Sequence, residues 1–564
     1  MSERRFAVLA LGAGLVTAAV LTFPLPLHLG SAVLEDGTYD AYQFVWNIWW
    51  VRESLLRLHQ NPFFTSYLFY PDGVPLLFHT FSFSLGLASV PLQLALPGGV
   101  LTAHNVLVVA APALAVLALA LLAHELTRDP WAALVGGLAG AVTGATVWYL
   151  PVLYLDCTYL ITFVLWAWWR LHRLARPRDV VIALGLLLAL VFASQEYALM
   201  ALAILGLDSF ASLVAPRAFG LPPRWRAGLV AFWGLAALAL GALALVAMRA
   251  PATPPPANMV LFFSAFAAGL VTPPWVVPPV VPFWRVLYLG TGALALAPIA
   301  LVWGRPTVRF WLAAAALLSL MALGPYMRWQ YPFPTLQGPP PRLSLGHGFP
   351  GPYLLALKVL PLFRFFRAPY RWTVGAEVAL GALAALGVAG ARARIGPGSV
   401  RAIATAAALA LVIGGAVLDV RGLRAPLTEA AVPAAYGTLS ADPQPAAVLE
   451  LPSGLRASGF AAFSSLYMYY QTGHRKYLLE GTVSRLPPDR RLVVQRAIAD
   501  FAALPYVKWV VLHRDLVPES SLGAQRQVEE VDRLLVSEGE LVARDGAIDV
   551  YRLRTFRPET VLAP

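Results

Sequence analysis

The chain has 564 residues, of which 59% are hydrophobic and only 13% are charged, whereas soluble globular proteins carry about 25% charged residues. Its formal net charge of +12 does not indicate a nucleic-acid-binding protein, because many arginines flank long apolar runs, as in membrane proteins. The single cysteine, Cys157, excludes an intrachain disulfide. We therefore expect a polytopic membrane protein whose partner is the lipid bilayer, with no nucleic acid.

About 11 apolar runs are long enough to cross roughly 30 Å of hydrocarbon as helices, the form in which a lipid-exposed backbone satisfies its own hydrogen bonds. The predicted spans cover residues 6–24, 103–124, 131–149, 157–173, 180–195, 197–214, 227–248, 284–303, 308–324, 371–391 and 400–418. We expect the first run to be an uncleaved helix, because it is long for the apolar part of a signal peptide.

The apolar run 78–96 is not predicted to cross the membrane. It contains His79, Pro91 and Gln93, which suit a lipid-facing helix poorly. If it crossed, the arginine clusters of all later cytoplasmic loops would move outside, against the positive-inside bias. We therefore predict a helix at the outer interface, a cytoplasmic N-terminus and an extracytoplasmic C-terminus. Scarce lysine with abundant alanine, arginine and proline is typical of a GC-rich bacterial genome, so the predicted location is a bacterial inner membrane.

Residues 1–419 are predicted to form the transmembrane domain, with long outer loops at 24–102, 249–283 and 325–370. Most connections in a helical bundle are short, so three long loops on one face indicate that the function is carried out on that face.

Residues 420–564 are predicted to form a small extracytoplasmic α/β domain, because the composition there becomes charged and mixed. Alternating apolar residues predict strands at 447–451, 507–512 and 548–553, and helices are predicted at 490–504 and 521–537.

Asp40 is the first candidate for chemistry, because it lies in the first outer loop at the start of a predicted aromatic helix. Two interpretations remain open: Asp40 caps that helix, or its carboxylate acts as a general base near the bilayer surface. The helix is predicted to lie flat on the membrane, with Trp46, Trp49 and Trp50 at the interface. Further along the loop, Tyr70 and His79 are candidates for substrate binding, although a lone histidine is more often structural.

Two acidic residues lie at later outer turns. Asp156 precedes a predicted span and could orient an acceptor or hold a metal ion together with Asp40, or it could simply cap the helix. Glu196 lies at a tight turn between two spans and is a candidate for substrate binding. Glu377 lies within a span and is expected to pair with Arg367 or Arg371.

The segment 363–372 is the strongest basic feature of the outer face. Its arginines, Arg364, Arg367 and Arg371, alternate with aromatic residues at the outer mouth of a span, where the positive-inside bias does not explain them. Guanidinium groups there could bind a lipid phosphate or pyrophosphate, or could anchor the protein to anionic headgroups in general.

With this topology the chain resembles bacterial membrane glycosyltransferases of the GT-C superfamily, in particular the group related to protein mannosyltransferases and the YfhO-like proteins. The residues that carry the resemblance are Asp40 with Trp46, Trp49 and Trp50, the segments 61–65, 67–68 and 70–73, residues 194–196, the basic segment 363–372, and residues 469–474 and 481–485. The likeness covers nearly the whole chain.

The resemblance implies an α-helical GT-C-like fold and transfer of a sugar, with inversion, from a polyprenyl-phosphate donor to a glycan, lipid or protein acceptor on the outer face. It implies that Asp40 and Asp156 are the catalytic carboxylates. Many members carry adjacent acidic pairs at these positions, whereas this chain has single ones, so the resemblance allows a divalent cation such as Mg²⁺ or Mn²⁺ and leaves its requirement open. Two alternatives remain: a transporter or flippase, and a non-catalytic assembly protein for envelope polysaccharide.

Overall fold

The computed structural model describes residues 1–35, 37–216, 221–222, 224–249, 255, 257–276, 286–303, 306–329, 348–453, 462–484, 500–517 and 522–562. The chain divides into two compact units. The helical unit comprises Met1–Pro26, Leu107–Leu245 and Pro254–Ala425, and the sheet unit comprises Leu27–Val106, Val246–Thr253 and Pro426–Pro564. Most of the predicted helix 490–504 and parts of the second and third outer loops lie outside the described residues.

The described helices are numbered in chain order. They are α1 (Glu3–Thr22), α2 (Asp40–Arg52), α3 (Phe83–Ala95), α4 (Gly99–Thr127), α5 (Pro130–Ala141), α6 (Gly144–Trp148), α7 (Leu153–Asp156), α8 (Thr158–Leu174), α9 (Pro177–Ala193), α10 (Gln195–Val214), α11 (Trp225–Arg249), α12 (Ala257–Phe262), α13 (Ala267–Val271), α14 (Thr291–Leu296), α15 (Pro306–Ala322), α16 (Pro352–Val359), α17 (Thr373–Ile395), α18 (Ser399–Asp419), α19 (Gly437–Ala441), α20 (Ala462–His474) and α21 (Leu522–Glu538).

The protein is a multi-pass membrane protein. Among the described residues, six helices are long and apolar enough to cross a membrane: Glu3–Thr22, Gly99–Thr127, Gln195–Val214, Trp225–Val246, Pro369–Ile395 and Ser399–Asp419. The other predicted spans coincide with shorter helices, including α5, α8, α9 and α15. The predicted total of about 11 spans stays a prediction.

Helix α17 is the centre of the helical unit. It is apolar on all sides and buried along most of its length, as expected for a helix that other helices surround. Close approach to α5 depends on glycines four residues apart, as in many membrane helix pairs. A Cβ on Gly136 would lie 2.5 Å from the carbonyl oxygen of Gly381, and one on Gly140 would lie 2.7 Å from that of Glu377.

Ion pairs gather the predicted cytoplasmic arginines at one end of the helical unit. Arg173, at the end of α8, pairs with Glu125 at 2.8 Å, and Arg128 pairs with Glu125 at 2.5 Å. Arg392, at the end of α17, pairs with Asp129 at 2.8 Å. Because α8 and α17 both end there, their starts lie at the opposite end of the unit. The side of the membrane that each end faces stays a prediction.

The described strands of the chain are β1 (Ala32–Leu34), β2 (Phe64–Thr65), β3 (Val74–Pro75), β4 (Tyr326–Met327), β5 (Phe349–Pro350), β6 (Leu427–Glu429), β7 (Ala447–Leu451), β8 (Tyr477–Leu478), β9 (Val507–His513), β10 (Gly539–Asp545) and β11 (Ile548–Leu553). The sheet unit contains a five-stranded sheet of these strands in the order β10-β11-β9-β7-β8. Strand β7 is parallel to β8 and β9, whereas β9, β11 and β10 are antiparallel. The predicted strands and the helix 521–537 are therefore confirmed.

The first outer loop folds together with the C-terminal segment. Strand β1 pairs with β6 in antiparallel register, Val33 opposite Thr428. Helix α2 packs against α20. The structure thus places residues 27–106 in the same compact unit as the C-terminal sheet.

The prediction that the α2 tryptophans lie at the membrane interface is wrong. Trp46, Trp49 and Trp50 are fully buried in the core of the sheet unit. The Trp46 and Trp50 rings stack with centroids 5.7 Å apart, and Trp46 Nε1 donates to Gln471 Oε1 at 2.7 Å. A large amphipathic ring suits a lipid interface and a protein core equally well, and here the C-terminal segment supplies the core.

Helix α3 occupies most of the run 78–96. Its 13 residues rise roughly 20 Å, too short to cross a bilayer. One face packs on α2, where Gln93 donates to the Ile48 carbonyl at 2.8 Å, and Leu87 and Leu94 are exposed on another. An apolar exposed face on a short helix agrees with the predicted interfacial position.

Candidate active site

Asp40 is the first residue of α2, and another carboxylate serves as the cap. The residue at the N-cap is Tyr39, whose side chain makes no capping hydrogen bond. Glu35 instead accepts hydrogen bonds from the backbone N–H groups of Gly37 at 3.0 Å, Tyr39 at 2.7 Å and Ala41 at 3.2 Å. The interpretation of Asp40 as the helix cap is therefore wrong. Asp40 is half-buried at the positive end of the helix dipole, which favours an anionic side chain there.

His79 is buried and held between two segments of the sheet unit. Its Nδ1 accepts from the Ser484 backbone N–H at 3.2 Å, and its Nε2 lies 3.2 Å from Asn47 Oδ1. With Nδ1 as acceptor, Nε2 carries the proton and donates to Asn47. Both ring nitrogens are thus engaged within the protein, which favours a structural role; the predicted role in substrate binding stays a prediction.

Tyr70 is also held inside the sheet unit. Its ring stacks on Tyr477 with centroids 4.4 Å apart, and its hydroxyl accepts from the Leu562 backbone N–H at 2.5 Å. Burial raises the pKa of this phenol. These contacts fasten the end of the described chain to the first loop, and a role for Tyr70 in substrate binding stays a prediction.

In the helical unit, three consecutive residues at the start of α10 contact two other segments, α7 and the residues just before α17. Gln195 Oε1 lies 3.5 Å from the Tyr154 hydroxyl. Glu196 Oε2 accepts from Arg371 Nη1 at 2.6 Å. The Tyr197 hydroxyl donates to the Leu155 carbonyl at 2.8 Å. The three contacts bring the turn before α8 and the start of α17 together at one end of the unit.

Asp156 lies within this group, in the turn between two predicted spans. Its side chain is buried, and Oδ2 has no hydrogen-bond partner among the described residues. Burial raises the pKa of this carboxyl well above its usual range. Asp179, Asp208 and Glu377 are buried in the same unit and each also has one oxygen without a partner. Their second oxygens are bonded, to Arg170 at 3.2 Å, to Trp168 at 2.7 Å and to Thr143 at 3.1 Å, whereas the Asp156 carboxyl bonds no described residue. Asp156 is thus the carboxyl group that is best placed to meet a ligand.

The three arginines of the basic segment differ in their surroundings. Arg371 is largely buried and is neutralised by Glu196, and its Nε has no partner among the described residues. Arg364 is exposed, with its guanidinium 5.3 Å from the centroid of the Phe365 ring. Arg367 is half-buried. The expectation that Glu377 pairs with Arg371 or Arg367 is wrong, because Glu377 Oε2 accepts from the Thr143 hydroxyl at 3.1 Å.

Metal binding has limited support. Within the described ranges, no group of three or more histidine, cysteine, aspartate or glutamate side chains could hold an ion. Asp40 belongs to the sheet unit and Asp156 to the helical unit. The unpartnered oxygen of Asp156 could serve as one ligand of a divalent cation, and binding of Mg²⁺ or Mn²⁺ stays a prediction.

Sequence reasoning missed the roles of Glu35 and Tyr197 and the contact that Gln195 makes, although residues 194–196 are among those that carry the resemblance. Glu35 carried a signal, because it lies a few residues before a helix that lacks a serine, threonine or asparagine cap. Gln195 and Tyr197 flank a residue that was already a candidate, yet nothing in the local pattern shows that each contacts the turn before α8.

Comparison with solved structures identifies the fold. The chain matches the arabinofuranosyltransferase AftD from Mycobacteria with a TM-score of 0.57 and 14% identity, over 98% of this chain and 40% of that chain. ArnT from Cupriavidus metallidurans matches with a TM-score of 0.49 and 11% identity, over 98% of both chains. The Archaeoglobus fulgidus oligosaccharyltransferase matches with a TM-score of 0.48 and 12% identity, over 90% of this chain and 70% of that chain.

The likeness to AftD confirms the predicted GT-C-like fold, a helical membrane part with a small sheet domain. The chain spans 40% of the length of AftD. No family of known proteins and no curated protein matches the sequence. The narrower YfhO-like subgroup stays a prediction.

Proposed function

We propose that the protein is an inverting membrane glycosyltransferase that moves a sugar from a polyprenyl-phosphate donor to an acceptor on the extracytoplasmic face of a bacterial inner membrane. The fold shared with an arabinofuranosyltransferase supports the proposal. The observation that carries it is Asp156: a buried carboxyl with an unpartnered oxygen, at the same end of the helical unit as the basic segment.

The reaction is a single displacement. The acceptor hydroxyl oxygen attacks the anomeric carbon, and the bond from that carbon to the lipid-phosphate oxygen breaks. The acceptor proton passes to Asp40, which acts as the general base. The acceptor attacks from the face opposite the lipid phosphate, which leaves with the bonding electron pair, so the configuration at the anomeric carbon inverts. The Asp156 carboxyl orients the acceptor or holds a divalent cation.

The arginines share the stabilisation of the departing phosphate. Arg364 is exposed and keeps its charge available, and Arg367 lies between it and the α17 start. The charge of Arg371 is neutralised by Glu196, so Arg371 contributes through a hydrogen bond in a fixed direction. The ion pair holds the guanidinium in place, and its Nε–H remains available as a donor. Preorganised donors of this kind stabilise charge that develops in the transition state.

The direct test is transfer from a polyprenyl-phosphate sugar by the purified protein in liposomes. We expect Asp40→Asn to lower turnover by about 10²- to 10⁴-fold, the usual contribution of a general base. Asp72→Asn is the matched control, because Asp72 is an exposed carboxylate of the same loop and should leave turnover unchanged. Full turnover of Asp40→Asn overturns the base assignment. Lipid movement without any glycosylated product would favour a flippase.

A further inference from the structure

A small cavity lies inside the helical unit, beside the first two turns of α8 and α17. Its volume is about 10 Å³, which is about the space that one water molecule needs. The lining residues come from α4, α5, α6, α8 and α17. The polar ones are Thr146, Thr158, Thr162 and Glu377, and none of the described lining residues is basic. The cavity therefore has room for one small ion or one water molecule, and not for an organic ligand.

Glu377 is a buried carboxyl group in a helix that is long and apolar enough to cross a membrane. Its residue is only 3% exposed. Oε2 accepts from the Thr143 hydroxyl at 3.1 Å, whereas Oε1 has no hydrogen-bond partner among the described residues. No lysine, arginine or histidine in the described part of the chain bonds this carboxyl. A carboxylate in such surroundings is strongly disfavoured unless a cation neutralises it.

Two hydroxyl groups next to Glu377 have already used their protons. The Thr143 hydroxyl donates to Glu377, and the Thr146 hydroxyl donates to the Ala141 carbonyl at 2.8 Å. Since a hydroxyl has one proton, each of these oxygens can only accept from a further partner. Together with Glu377 Oε1 they form an excess of acceptor oxygens, which suits a hard cation and disfavours an anion.

The backbone is interrupted beside the cavity. Helix α5 ends at Ala141, which lines the cavity, and α6 begins at Gly144, so the predicted span 131–149 is broken at residues 142–143. Inside a membrane such breaks occur where the backbone is buried in protein or lines a cavity. The last carbonyl groups of α5 lack intrahelical partners and carry the negative end of the helix dipole. Broken helices of membrane transporters coordinate Na⁺ with such C-terminal ends.

We propose that this cavity binds one monovalent cation, Na⁺, with Glu377 as its counter-charge. The ligands are Glu377 Oε1, hydroxyl oxygens of the lining threonines and a backbone carbonyl oxygen at the end of α5. One positive charge balances the single carboxylate, whereas a divalent cation would leave a buried excess of charge. The ion joins the break between α5 and α6 to the starts of α8 and α17. The site is separate from Asp156 and Arg371, and it does not depend on glycosyl transfer.

The test is equilibrium binding of radioactive Na⁺ to the purified full chain in detergent, with thermal unfolding in parallel. We expect one Na⁺ per chain and an unfolding temperature that rises with NaCl concentration by mass action. Choline chloride at equal ionic strength should have no effect, because choline is too large for the cavity. Glu377→Gln keeps the shape of the side chain and removes its charge, so it should lose both Na⁺ effects.

The matched control is Asp208→Asn. Asp208 is another buried carboxyl of the helical unit with one unpartnered oxygen, and it does not line the cavity, so this variant should keep both effects. Thr162→Val removes one hydroxyl at nearly constant size. It should raise the Na⁺ concentration for half-maximal stabilisation roughly 10-fold or more, the usual effect of removing one polar partner of a charged group.

Three results would overturn the proposal. Absence of any Na⁺ effect on the unmodified protein would mean that a proton neutralises Glu377, and no cation site would exist. Equal Na⁺ binding by Glu377→Gln, or loss of binding in Asp208→Asn as well, would place the ion elsewhere. An unchanged half-maximal concentration in Thr162→Val would overturn the assignment of its hydroxyl as a ligand, and this variant also tests the site if Glu377→Gln does not fold.

Discussion

The ion pair between Glu196 and Arg371 should be the charged contact on which the helical unit depends most. The two groups approach to 2.6 Å, with side chains only 9% and 13% exposed. Removing either one leaves the other as a buried charge without a partner, which destabilises by about 3–5 kcal/mol. Removing both, in Glu196→Leu/Arg371→Met, replaces the pair by apolar side chains, a change that is often neutral. We therefore expect the double variant to be more stable than either single variant.

The measurement is a double-mutant cycle by equilibrium unfolding in mixed SDS micelles. The control is the pair of Glu540 with Arg552, which has the same 2.6 Å separation but side chains 50% exposed. Glu540→Leu should lower the free energy of unfolding by less than about 1 kcal/mol. If the effects of the two buried substitutions simply add, or if Glu196→Leu is as mild as Glu540→Leu, the pair does not hold the start of α10 to the start of α17.

Three more predictions concern packing and pH. Trp46→Phe keeps the buried ring but orphans the Gln471 side-chain oxygen, so it should lower the free energy of unfolding by about 1–3 kcal/mol, whereas unchanged stability would exclude a role for that hydrogen bond. Gly140→Leu places atoms against the backbone of α17 and should lower the thermal unfolding temperature by overpacking, in contrast to Gly234→Leu on α11, where a Cβ would meet no atom within 4 Å. Asp442 is partly buried, which raises its pKa, but the hydrogen bonds from Lys508 and from the Gln444 backbone N–H, together with the charges of Lys476 and Lys508, outweigh this and leave the pKa below its usual value. Its stabilising effect is therefore present above about pH 4 and lost as the pH falls further. Asp442→Asn should lower the free energy of unfolding at pH 7 and weaken its decrease below about pH 4. An unchanged decrease at acid pH would refute this.

Elements governed by hydrophobic pattern were predictable. The strands at 447–451, 507–512 and 548–553 and the helix at 521–537 appear within a residue or two of their predicted bounds. Alternation or helical periodicity of apolar residues is a local property of the chain, so it predicts these elements without knowledge of contacts to distant segments. The same holds for the apolar runs, each of which contains helix.

Contacts between distant segments were not predictable. Glu196 and Arg371 are 175 residues apart, and Trp46 reaches a glutamine 425 residues away. The sequence predicts an interfacial position for the α2 tryptophans, because composition shows only that such a ring needs an apolar environment with a polar edge. Whether lipid or the C-terminal segment supplies that environment is decided by tertiary structure.

The two ends of the helical unit differ in how their charged groups are paired. At one end Glu125 and Asp129 are each bonded to arginines, so those charges are balanced within the protein. At the other end a similar pair, Glu196 with Arg371, coexists with the exposed Arg364 and with the unpartnered Asp156 oxygen. Buried carboxyl oxygens without a partner also occur near the end of α8, in Asp179 and Asp208, but the second oxygen of each of these groups bonds a neighbouring side chain. The Asp156 carboxyl bonds no described residue, and a buried polar group without any partner is disfavoured in a purely structural position. We therefore propose that a substrate completes the bonding of Asp156 and that the starts of α8 and α17 form the working face.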